Sequence, residues 1–146
     1  ANKTIPEYGG GICQVSTTMF RAAINAGLKI TERFPHAFPV AFYNPQGFDA
    51  TVYLPHPDLR FINDTPANIL IQTKIKGTTL TFEFYGTKNR EVKIIGPEEY
   101  DKKYDGSMKA KLTQEIYQDG ELIRSKIFYS IYKSPWLFPE RKNPLE

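Results

Sequence analysis

A chain of 146 residues can bury the core of one domain, or of one domain with a small appendage. Its 40% hydrophobic and 24% charged residues describe a soluble globular protein. The formal charge of +3 comes from lysines and arginines interleaved with acids, which argues against a nucleic-acid surface.

No apolar run is long enough to span a bilayer, and no stretch reads as a signal peptide. The chain opens without Met and reaches its most informative segment within a dozen residues, so it is expected to be a piece of something longer. A single cysteine forms no internal disulfide. In a secreted setting such a thiol points to a reactive group or an intermolecular bond, and composition does not choose the compartment.

Residues 1–8 are polar, contain Pro6 and read as an extended lead-in. In YGGGICQVSTTMFRAAINA, Tyr8 to Ala26, three glycines run into the cysteine. Val15, Met19, Ala22 and Ala26 then recur at helical spacing, and Gly27 stops the helix as a left-handed C-cap. The spacing predicts that this stripe is buried and that Cys13, Ser16, Thr17 and Phe20 share the opposite side.

Leu28 to Arg33 alternates as a strand. Beyond it, Pro35, Pro39, Pro45, Pro55 and Pro57 forbid a long helix. Phe38, Val40 and Phe42 suggest a short strand with His36 at its near end, and Asp49 to Leu54 suggests a second. Between them Asn44-Pro45-Gln46-Gly47 is a turn.

A β-meander is expected from Asp58: strands at Leu59 to Ile62, Asn68 to Lys76, Leu80 to Phe84 and Val92 to Ile95. Gly96 to Ser107 reads as a charged loop. A last hairpin spans Lys109 to Ile131 about an Asp119-Gly120 turn. The proline-broken tail is expected to lie on the body through Trp136 and Phe138. The class is α+β: one N-terminal helix carrying the cysteine at its start, packed on a mostly antiparallel sheet, with a C-terminal hairpin.

A thiol at a helix start feels unpaired N–H groups and the positive dipole end, beside glycines whose bare N–H groups could hold an oxyanion. That is the setting of a cysteine nucleophile. The plain alternative is a buried cysteine acting as a small hydrophobe, with Ser16 and Thr17 as capping residues. A thiol nucleophile needs a base and an orienting group. His36, bracketed by Pro35 and Pro39, is a better base than His56 at a loop tip. Asp49 is the expected orienter, with Asn63 and Asp58 as reserves. Gly10, Gly11, Gln14, Ser16 and Thr17 are candidates for the oxyanion and substrate, and Arg33 for a substrate carboxylate. Tyr8 and Tyr43 are the aromatics expected nearest the sulfur. A zinc site from Cys13, His36, His56 and Asp49 lacks any close ligand pair, and GGGICQ lacks the lysine of a phosphate loop. No metal or cofactor is expected.

GGGICQVSTTMF, ERFPHAFPV, GFDATVY and DLRFINDTPANILI, in that order, closely resemble the VanW family, named for a protein of vancomycin-resistance clusters. The resemblance runs from about Tyr8 to about Gly86, and YKSPWLFPE resembles the ending of many members. It implies residues 1–95 as the VanW-type core, and 96–146 as charged loop, hairpin and tail packed on the same domain. It also implies a further segment ahead of the glycine run, which this sequence lacks.

Members are generally extracytoplasmic and wall-associated, and the family is associated with L,D-transpeptidase activity through the cysteine matching Cys13. The implied partners are peptidoglycan stem peptides, without nucleic acid or a membrane span in this chain. The order Cys, His, Asp resembles papain-like and transglutaminase-like enzymes. A non-catalytic wall-binding module with a structural cysteine is the alternative.

Overall fold

The computed structural model describes residues 10–139. Helix α1, Ile12–Asn25, is followed by strands β1 (Lys29–Glu32), β2 (Arg60–Ile62), β3 (Leu70–Lys76), β4 (Thr79–Tyr85), β5 (Glu91–Tyr100), β6 (Met108–Gln118) and β7 (Glu121–Tyr132). The α+β class stands. The strands form three antiparallel sheets, β1-β2, β3-β4 and β5-β6-β7, where one meander was expected. No helix among the described residues is long and apolar enough to cross a membrane.

The helix end is as the sequence predicts. Gly27 takes φ 77°, its N–H donates to Ile24 O, and Leu28 N donates to Ala23 O. These paired bonds satisfy carbonyls that the last turn leaves open.

The buried face of α1 is the reverse of the expected one. Ser16, Thr17, Phe20, Ala23 and Ile24 are buried, whereas Val15 is 45% exposed. Phe20 decides this: it stands edge-on to both Phe48 and Phe128, at 6.0 and 5.7 Å between ring centroids. Phe20 and Ile24 are fully buried, whereas Met19, Ala22 and Ala26 are only partly buried. Thr17 tolerates the interior because its hydroxyl donates to Ala50 O and accepts from Ala50 N. The inward rotation carries Cys13 with it.

The two short strands expected at 38–42 and 49–54 do not form. A single turn of 3-10 helix occupies Ala41–Tyr43, and the second segment runs unladdered with isolated bonds such as Thr51 N to Phe34 O. Prolines at 35, 39, 45, 55 and 57 remove the donors that a ladder would use.

The expected loop at 96–107 is partly strand. β5 continues to Tyr100 across a register shift between Ile95 and Glu98. Gly96, at φ 93°, sits at this bulge, where a Cβ would stand 2.9 Å from Glu98 N and 3.0 Å from Lys111 O. A Gly-Pro pair reads as a strand end in sequence but serves here as a bulge.

Asp119 and Gly120 both take positive φ at the tip of the β6–β7 hairpin, as a two-residue turn requires. Met108, Ala110, Leu112, Gln114 and Ile116 point inward at every second position of β6. Leu112 and Phe128 join Phe20, Ala23, Ile24, Leu28, Ile30 and Ala50 in one core. Buried Gln114 donates to Ile24 O and Leu28 O, tying the hairpin to the helix end. In the tail, Phe138 stacks on Phe38, while Trp136 meets Tyr104 by its edge and stays 68% exposed.

Candidate functional site

The sulfur enters from α1. Gly11, at φ 96°, turns the chain into the helix, and its carbonyl accepts from Gln14 N and Val15 N. Only glycine adopts that φ without strain. Cys13 is the second helical residue, so its N–H and that of Ile12 lack acceptors within the helix and lie at its positive end. Half-buried, Cys13 donates to Val52 O at 3.5 Å, and its Sγ lies 3.4 Å from Thr51 Oγ1.

The imidazole enters from the loop after β1. His36 places Nδ1 2.6 Å from Asp49 Oδ2, and the same oxygen accepts the His36 backbone N–H at 2.8 Å. A carboxylate acceptor requires the proton on Nδ1, so in the neutral ring the lone pair sits on Nε2. The ring stacks on Tyr43, 4.4 Å between centroids and 16° between planes.

Asp49 is the hub. Its side chain is 1% exposed, and its second oxygen, Oδ1, accepts from Arg33 Nη2 at 3.0 Å and from the Tyr132 hydroxyl. Burial alone would raise its pKa. The His36 hydrogen bond, the Arg33 charge, the Tyr132 hydroxyl and the His36 N–H together outweigh burial and hold it down at about 2. Burial in turn draws the Arg33 guanidinium below its ordinary value, with Asp49 opposing. Tyr132 is pushed up, first by burial and then by the Asp49 charge, so it remains a donor.

Asp49 and Thr51 are two positions apart on one run of chain. One meets His36 and the other meets Cys13. Tyr43 lies between. The Tyr43 phenol is raised first by burial, with Cys13 and then Asp49 adding to the shift. His36, Tyr43 and Asp49 form one cluster, and Thr51 on the same run as Asp49 reaches Cys13. The hydrogen bonds of Cys13 run to Thr51 and Val52 rather than to His36.

The other candidates fall elsewhere. Arg33, expected as a fork for a substrate carboxylate, has a side chain 2% exposed, with its donors directed to Asp49, Ser130 and Gly47. That fork faces Asp49 rather than solvent. Thr17 is occupied with Ala50, and buried Ser16 Oγ has no hydrogen-bond partner among the described residues. Gln14 and the glycines 10 and 11 are exposed at the helix start. Tyr8 lies outside the described residues.

His56 is a surface residue on Glu32 and Phe34, while Asp58 pairs with Arg60 and Asn63 organises a turn around Thr65 and Ala67. Among the described residues no group of three or more His, Cys, Asp or Glu side chains is placed to hold a metal ion.

Sequence reasoning missed Thr51, Arg21, Ser130 and Tyr132. Arg21 ties the helix to Phe48 O and Tyr43 O, and Ser130 receives Arg33 Nη1. The signal for Ser130 and Tyr132 was the inward register of Phe128 in β7, which puts two polar side chains into the interior.

The family description "VanW like protein" matches residues 1–85. The chain belongs to the VanW family. A curated VanW-type relative, the uncharacterized protein YoaR of Bacillus subtilis (strain 168), is 46% identical over 79 residues, covering 54% of this chain and 26% of the relative. The VanW chain thus aligns with about a quarter of that relative's length. No solved structure matches it. Cys13, His36, Asp49 and Thr51 lie within the family-matched residues, whereas Ser130 and Tyr132 lie beyond them.

Proposed function

We propose that this VanW chain carries the catalytic centre of a cell-envelope thiol acyltransferase acting on peptidoglycan stem peptides, an L,D-transpeptidase forming 3-3 cross-links. In this reading Cys13 Sγ attacks the carbonyl carbon of an L-centre joined to a D-residue, and its proton passes to His36 Nε2. The N–H groups of Ile12 and Cys13 receive the oxyanion. When the tetrahedral intermediate collapses, the C–N bond breaks and the departing D-residue amine takes the proton from His36. A side-chain amine of a second stem peptide then attacks the thioester carbonyl, giving up a proton through His36 as the sulfur leaves. Water in place of that amine gives hydrolysis. The setting is extracytoplasmic and wall-associated.

The observation that supports this reading most is the pairing of Asp49 with His36 and of Thr51 with Cys13 on one run of chain. In this reading Cys13 is the nucleophile, His36 Nε2 the base and Asp49 the charged orienter. Intact-mass analysis after incubation with a stem tetrapeptide tests it. An adduct on Cys13 that is absent from Cys13→Ala is expected. An unmodified wild-type chain, with no cross-linked or hydrolysed peptide, defeats the proposal.

One observation favours a non-catalytic wall-binding module: Sγ is bonded to Thr51 and Val52 and not to the imidazole. That reading expects Cys13→Ala to bind peptidoglycan sacculi as the wild type does, with no adduct in either.

A further inference from the structure

We propose that β7 completes the site from outside the family-matched residues, with Tyr132 and Ser130 acting as positioning residues that fix Asp49 and, through it, the His36 ring. The kinetic consequence rests on the acyl-transfer reading. The positioning itself does not.

The two oxygens of Asp49 have separate duties. Oδ2 takes both donors of His36, its N–H and Nδ1. Oδ1 takes the Tyr132 hydroxyl and Arg33 Nη2, and Arg33 is itself held by Ser130 Oγ through Nη1 at 2.8 Å. The terminal torsion of an aspartate is broad and roughly two-fold, so rotamer preference alone does not set the plane of the carboxylate. The anchors on Oδ1 set it. With Oδ1 free, the carboxylate can turn about that torsion and carry the acceptor of Nδ1 away from the plane of the imidazole.

The polar atoms of β7 are too deeply buried to be incidental to this arrangement. Tyr132 is 2% exposed and Ser130 is 1% exposed. The Tyr132 hydroxyl also accepts from Gly47 N at 2.7 Å, which joins the carboxylate to the turn two residues before it. Gly47 is at φ 93°, and a Cβ there would stand 2.7 Å from Ala110 Cβ, so the turn is pressed against β6. Phenylalanine at position 132 would fill the same space with Met108 and Ala110 and present no donor. A phenol here is a hydrogen-bonding choice. The hairpin, the turn and the carboxylate form one rigid unit, and His36 rests on its far oxygen.

The test uses the full chain labelled with ¹⁵N in histidine. His36 and His56 are the only two histidines, and exposed His56 serves as an internal reference. In Tyr132→Phe the ¹⁵N signals of His36 are expected to lose the Nδ1–H signature or broaden, while those of His56 stay in place. Ser130→Ala, which loosens Arg33, is expected to move the same signals less. It decides the question if Tyr132→Phe does not fold. His36 signals that superimpose on the wild type in the folded variants overturn the proposal.

With stem peptide, Tyr132→Phe is expected to lower kcat about tenfold with KM nearly unchanged. Undisturbed His36 signals in a chain that forms the acyl-enzyme reject the positioning role alone. Disturbed signals in the variants, together with a wild-type chain that forms no adduct, reject the acyl-transfer reading alone.

Discussion

Thr51 Oγ1 lies 3.4 Å from the Cys13 sulfur, two residues along the chain from the carboxylate that grips His36. A short run of backbone thus touches both a helix residue, Cys13, and a loop residue, His36, 23 positions apart in sequence. The same run is held to α1 by Thr17 and to the loop after β1 through Thr51 N and Phe34 O. Because so few bonds hold so many parts of the site, single substitutions are expected to have separable effects.

Asp49→Asn keeps the shape and removes the charge. The amide can meet Nδ1 through its N–H₂ group and so favour the wrong tautomer, with the lone pair turned away from the sulfur. Acyl transfer is expected to fall by roughly 10² to 10⁴. Arg33, 2% exposed, is left charged without its partner, and chemical denaturation should show a loss of about 3 kcal/mol. Full activity in the folded variant would show that the imidazole needs no carboxylate.

Acid should weaken the fold through the same group. The Asp49 pKa of about 2 lies below the ordinary 3.8, so the folded state favours the charged form. Its contribution is complete above about pH 5 and is lost as the pH falls through 4 towards 2, amounting to roughly 2 kcal/mol. Denaturation midpoints measured from pH 6 to pH 2 should show this component in the wild type and lack it in Asp49→Asn. Parallel curves for the two proteins would contradict it.

Thr17→Val is nearly isosteric yet removes both bonds to Ala50. Thr17 is 3% exposed, so Ala50 N and O lose their partner where water has little access. A destabilisation of about 2 kcal/mol is expected. The rate of Cys13 alkylation should change as well, since Thr51 follows directly after Ala50. An unchanged midpoint and rate would mean that this bond pair does not hold the run in place.

Gly27→Ala introduces a methyl group where φ is 77° and where Val92 Cγ2 would stand 2.6 Å away. The strain of a left-handed residue and the steric overlap add, and a loss of about 2 kcal/mol or more is expected in thermal or urea unfolding. Gly10→Ala is the control at the other end of the helix, where nothing lies within 4 Å of an added Cβ. That change is expected to cost about 1 kcal/mol or less.

The features legible in the sequence were those that neighbouring residues decide among themselves. Gly27 ends α1 because the helix needs a left-handed residue there, and Asp119-Gly120 turns the hairpin because both positions need positive φ. The inward row of β6 follows from period-two alternation. Cys13 and His36 stand out because the chain holds one cysteine and two histidines, and Asp49 is the carboxylate that His36 meets.

What tertiary structure alone decided was every choice between local solutions of similar energy. Either face of α1 satisfies a helix, and only the rings of Phe48 and Phe128 turn Phe20, and with it Cys13, inward. Arg33 could face a substrate or a carboxylate, and the buried Asp49, 16 residues along the chain, claims it. Tyr132 comes to Asp49 across 83 residues, a pairing that no local periodicity encodes. Local backbone preferences are set within a few residues. The partner of a buried polar group is set by whichever distant donor the packing brings within reach.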